Sequence, residues 1–147
     1  MELDYKNYRK VKIYFNKVCR ALTNLEKLQE RSSLSFGNAL MALRVKEMQL
    51  VQAQLVSFFI DPNLKLPYVP ASRCKALTTW YMNDKLFSCR NLSSFNAMLI
   101  KEDEKALKEV EYITKDLFLS SALKTLFEEH RERLKKLRIT KDILNEL

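Results

Sequence analysis

The chain has 147 residues, enough for one domain with a hydrophobic core, and 47% of them are hydrophobic against 30% charged. Formal net charge is +8, and Gly37 is the only glycine. One glycine excludes a P-loop or a Rossmann phosphate turn, and the tight hairpin turns of a β-rich fold have no Asn-Gly to build on.

The expected class is therefore all-α, a single-domain antiparallel helical bundle of four to five helices spanning residues 1–147. The apolar residues Tyr8, Val11, Phe15, Val18, Leu22 and Leu25 recur at spacings of three and four. That period predicts an amphipathic helix from about residue 4 to 31, about 40 Å long at 1.5 Å per residue. "RSSLS" interrupts it, and Ser33 or Ser35 is a candidate cap for the next helix.

A second helix is expected from about Leu34 to Ile60, with Phe36, Leu40, Met41, Leu43, Val45, Met48, Leu50, Leu55 and Phe59 wrapping most of its circumference. Such a helix contacts several neighbours. Its charge-free part, Met48 to Ile60, has 13 residues with three glutamines, too short for the roughly 20 apolar residues of a membrane span. Pro62 ends it, and an extended crossing containing Pro67 and Pro70 is expected at 61–71.

A shorter helix at about 72–89 carries Leu77, Trp80, Tyr81 and Phe87 behind a Ser72 cap. Another at about 94–118 carries Phe95, Leu99, Ala106, Val110, Ile113 and Leu117, with Ser93 or Ser94 as cap. Ser120 or Ser121 marks the next break. The last helix carries Leu123, Leu126, Phe127, His130, Leu134 and Leu137, with a restart expected at Thr140.

The residues fit no catalytic or metal-binding motif. His130 is the single histidine and falls on the apolar face of the last helix, so it reads as a core or interface histidine with one hydrogen bond rather than a general base or ligand. A di-iron bundle needs Glu-x-x-His on two helices, but position 127 is Phe and there is no second His. Helical nucleases of the Arg-x4–6-His kind need Arg where Leu123, Lys124 and Thr125 stand. Cys19, Cys74, Cys89 and His130 sum to a Cys3His set, but lack the close pairs of structural zinc sites. They read instead as three small buried thiols. No catalytic residue, metal or cofactor is assigned, and a non-enzymatic role is expected.

The helix at 94–118 mixes Glu102, Asp103, Glu104, Glu109, Glu111 and Asp116 with Lys101, Lys105, Lys108 and Lys115. Glu104–Lys108 and Glu111–Lys115 have the favourable i, i+4 order, which suggests a solvated ion-pair face.

The charge map is uneven. Through residue 92 there are 15 Lys and Arg against 7 Asp and Glu, and beyond it 11 against 11. The first helix has eight basic residues and no acid before Glu26. At 100° per residue, Lys6, Arg9, Lys10, Lys17 and Arg20 share a sector of about 100°, and Lys27 and Arg31 continue it. Solvated faces normally mix signs. A secondary basic face, Lys124, Arg131, Lys135 and Arg138, runs along the last helix beside Glu128, Glu129 and Glu132. A third set, Arg73, Lys75, Lys85 and Arg90, surrounds Trp80 and Tyr81, with Trp80 expected to fill the core rather than stack on bases.

Two functions fit these features. In the first, a helical-bundle accessory subunit binds nucleic acid or an acidic, nucleoprotein partner through the basic face of the first helix, by backbone contact rather than base readout. In the second, the chain is a protein–protein interaction module or self-assembling scaffold that buries its apolar second helix against another copy or a host protein. Contact with an anionic membrane surface is a weaker third, because the basic helix lacks a Trp-rich insertion face. With no apolar leader and an odd cysteine count, an intracellular, reducing compartment, cytoplasmic or nuclear, is the expectation.

Overall fold

The computed structural model describes residues 5–31, 38–59, 79–82 and 85–145. These residues form an all-α antiparallel bundle of five helices with one shared hydrophobic core. They are α1 (Tyr5–Arg31), α2 (Asn38–Phe59), α3 (Lys85–Ser88), α4 (Leu92–Asp116) and α5 (Ser121–Asn145). The extended crossing expected at 61–71 and the capping serines at 33, 35 and 72 lie outside the described residues.

The four long helices pack in the order α1, α2, α5, α4, and the ring closes where α4 returns to α1. The seams α1–α2 and α4–α5 are extensive, while the α1–α4 seam is loose. Pairings of Asn7 with Phe118, Lys10 with Tyr112 and Lys17 with Glu109 show that α1 and α4 run antiparallel.

On α1, Val11, Val18, Leu22 and Leu25 are buried as the period predicts, and Tyr8 is buried beside them. Tyr14, Ala21 and Leu28 are buried as well, whereas Phe15 is only partly so. The buried face is therefore rotated toward the basic sector by about 40°, measured at 100° per residue. The cause is that α1 packs on two sides, against α2 and α4, and Tyr14 fills the space between. Its ring lies 5.2 Å from Trp80 and 5.5 Å from Phe127, in tilted and edge-on contacts that aromatic pairs prefer.

Three expectations for the later part of the chain are corrected. In place of a helix at 72–89, residues 79–82 form a turn and, among the described residues, Lys85–Ser88 alone is helical, with 72–78 and 83–84 outside the described residues. Tyr81 sits in the left-handed region at φ 65°, and its N–H goes to the Glu102 carboxylate at 3.0 Å, which replaces the helical bond. The cap of α4 is Asn91, not Ser93 or Ser94, and its Oδ1 accepts from the Ser94 N–H at 2.8 Å. Finally, α5 continues through Thr140 to Asn145 without restarting, while at its start Ser120 Oγ accepts from the Leu123 N–H.

Trp80 is buried, as the burial argument requires. Among the described residues, no helix is long and apolar enough to cross a membrane.

Candidate functional site

Two polar networks cross the core. In the first, Tyr14 on α1 donates to His130 Nε2 at 2.6 Å, and His130 Nδ1 donates to Glu47 on α2 at 2.8 Å. A carboxylate only accepts, so Nδ1 carries the proton and Nε2 is free to accept from the phenol. Arg133 Nε donates to both Glu47 oxygens, at 2.8 and 2.7 Å, and an Arg133 Nη reaches Gln54 at 3.3 Å. His130 is fully buried, and it makes two hydrogen bonds rather than the one expected. Burial holds its imidazole below the ordinary range, against the upward pull of Glu47. Burial, and then the charges of Glu109 and Glu47, push the Tyr14 phenol well above its ordinary value. Tyr14 and His130 are thus a neutral pair.

The second network corrects the view of α4 as a uniformly solvated ion-pair face. Glu102 and Asp103 are 2% and 3% exposed. Asp103 accepts from Nε and one Nη of Arg44 on α2, at 3.0 and 2.6 Å, and from the Tyr81 hydroxyl at 2.5 Å. Arg44 also donates to the Leu40 carbonyl at 3.0 Å. Glu102 takes the Tyr81 N–H and Lys105. These contacts satisfy the charges in the core, where an unpaired one costs several kcal/mol. Glu104 bonds Arg138 across the α4–α5 seam rather than Lys108.

The basic residues of α1 do not all share one surface. Arg9 and Lys27 are exposed on its outer side. Arg20 is partly buried, and its Nε is sealed from solvent with no acceptor. Lys10 and Lys17 stand at the edge of the rotated core face and reach to α4. Lys10 bonds the Tyr112 hydroxyl, and Lys17 pairs with Glu109 at 2.8 Å. The side chains of Lys6 and Arg31 lie outside the described residues.

Between α1 and α4 the loose seam opens into a groove of about 410 Å³, lined by Lys10, Ile13, Tyr14, Lys17, Lys108, Glu109, Tyr112 and Ile113. Its floor is apolar and its lips are mostly cationic. The Tyr14–His130–Glu47–Arg133 chain fixes the floor from below, because Tyr14 lines the groove and is anchored at its hydroxyl. Lys108 and Tyr112, at i and i+4 on α4, were not separable in sequence from an ordinary solvated face.

The secondary basic face on α5 is partly offset by two carboxylates, and Arg131 Nε is buried without a hydrogen-bond acceptor. Arg131 and Lys135 lie 3.5 and 3.7 Å from Glu132, Arg138 bonds Glu104, and Lys124 is exposed. Of the third set, Lys85 and Arg90 are exposed while Arg73 and Lys75 lie outside the described residues. With Trp80 and Tyr81 both buried, that set has no open aromatic face at those two positions.

Cys19 and Cys89 are partly buried rather than buried, and Cys74 lies outside the described residues. Gln52 donates to Cys19 Sγ at 3.3 Å. Among the described residues, no three His, Cys, Asp or Glu side chains are grouped as ligands for one metal ion. No protein-family model, no curated protein and no solved structure matches the chain.

Proposed function

We propose that the protein is a non-enzymatic accessory subunit that binds nucleic acid along the basic side of α1 and into the groove beside α4. One observation carries this reading. Lys10 from α1 and Lys108 from α4 border the same opening, where Lys17 is held by Glu109, while Arg9 and Lys27 extend positive charge along the outside of α1. A phosphate backbone following α1 would meet cations from two helices. Counterion release would supply the affinity, and backbone contacts would fix register without reading sequence.

The buried Tyr14–His130–Glu47 chain is assigned a structural role, since His130 is fully buried and both its nitrogens are engaged. The basic face of α5 is left out of the binding surface because Glu132 and Glu104 offset about half of its four charges. The test is retention of a mixed-sequence oligonucleotide at low salt. The charge-reversal pair Arg9→Glu with Lys27→Glu should weaken it, and both positions are exposed, so folding is spared. Parental binding by that pair would mark the outer side of α1 as ordinary surface.

A specific observation also favours the self-association reading. Leu43 and Leu50, at i and i+7, are 36% and 41% exposed on α2, flanked by exposed Ala39, Ala42 and Ala53. Light scattering at high salt tests it: a dimer that Leu43→Lys with Leu50→Lys dissociates supports the scaffold role, and a strict monomer opposes it.

A further inference from the structure

The α1–α4 groove combines cations with one open aromatic ring. Tyr112 is 44% exposed and lines the groove with Lys10 and Lys108. Lys10 Nζ lies 4.9 Å from the ring centroid, yet it is hydrogen-bonded to the phenol oxygen. A cation above the ring centre at that distance would be out of reach of the hydroxyl. The ammonium therefore lies out past the oxygen and caps neither ring face. Ile13, Tyr14 and Ile113 supply an apolar floor next to the ring.

We infer that this groove selects single-stranded over duplex nucleic acid, with one base stacked on Tyr112 and the adjoining phosphates held by Lys10 and Lys108. The inference rests on the nucleic-acid reading above and names the form of ligand it implies. An unpaired base offers its π-face freely, and stacking on an aromatic side chain beside a basic track is tolerant of sequence. A duplex keeps its bases stacked inside and would have to flip one out to reach Tyr112, which costs a few kcal/mol. The groove's volume of about 410 Å³ is large enough for one base with its sugar. Glu109, paired with Lys17, marks the end of the groove least favourable to phosphate.

The experiment is fluorescence anisotropy with a labelled 12-nucleotide single strand and the matching duplex, both in 50 mM salt. The parent should bind the single strand at least about tenfold more tightly than the duplex. Tyr112→Ala should weaken single-strand binding by about ten- to a hundredfold and leave duplex binding unchanged. Tyr112→Phe, which keeps the ring and loses the bond to Lys10, should stay close to the parent. Circular dichroism confirms that each variant is folded.

Equal parental affinity for the two forms, with Lys10→Glu weakening both, would overturn the stacking inference and leave the nucleic-acid reading intact. Equal displacement by poly-glutamate at matched charge would also overturn it, showing that the groove senses charge alone. No binding of either oligonucleotide by the parent would overturn both readings.

Discussion

Tyr14 on α1 donates its hydroxyl proton to Nε2 of His130 on α5, 2.6 Å away in the core. This bond ties the floor of the α1–α4 groove to a chain that continues through Glu47 on α2 and returns to α5 at Arg133. Three of the four long helices are therefore joined through one imidazole.

That imidazole makes stability depend on pH. The folded-state value is lowered from the ordinary 6.5 by burial, so below about pH 6.5 the unfolded chain binds a proton that the native chain refuses. Stability is then lost as pH falls through 6.5 toward the lowered value, and the His130 contribution is flat above 6.5. Facing groups are Tyr14 from α1, Glu47 from α2 and Arg133 on the same helix. Urea midpoints measured at pH 7.5 and 5.5 should fall for the parent. For His130→Gln they should be lower at both pH values but nearly equal, because no other histidine is present. A parent midpoint unchanged between the two pH values would contradict the assignment.

Asp103 and Arg44 form a buried bidentate pair with side chains 3% and 1% exposed. Removing one partner leaves the other charge without its match, so Asp103→Ala should cost about 3–5 kcal/mol by chemical denaturation. Arg44→Met with Asp103→Leu should cost less than Asp103→Ala alone, since both charges leave together. A double variant as unstable as the sum of its singles would show that the pair contributes nothing as a unit.

The N-terminus of α4 depends on Asn91, whose side chain satisfies the Ser94 N–H. Asn91→Ala should lower stability by about 1 kcal/mol, readable as a drop in Tm, while Asn91→Asp should hold it. If alanine and aspartate behave alike, the cap is not contributing.

Much of the architecture was legible from apolar period and breaks. The α1 seam, the α5 seam through His130, the position of α4 and the burial of Trp80 all follow from spacing and residue size. What was not legible came from pairings across the bundle. Arg44 and Glu47 sit on a helix that looked apolar around most of its circumference, and Glu102 and Asp103 on one with an expected solvated ion-pair face. Nothing in local sequence marks these carboxylates as buried, because each is satisfied by a partner 21 to 86 residues away. The groove was hidden for the same reason. Its lips come from Lys10 and Lys17 on one helix and Lys108 and Tyr112 on another, and only the loose α1–α4 seam joins them.

Binding of nucleic acid by α1 is tested most directly by the salt dependence of oligonucleotide affinity for the parent and for Arg9→Glu with Lys27→Glu. The logarithm of affinity should fall linearly with the logarithm of salt concentration. For a single strand, the slope should shrink by about 1.4 when two phosphate contacts are removed, at about 0.7 per contact. A parental slope near zero, or an unchanged slope and affinity in the double variant, would contradict the account.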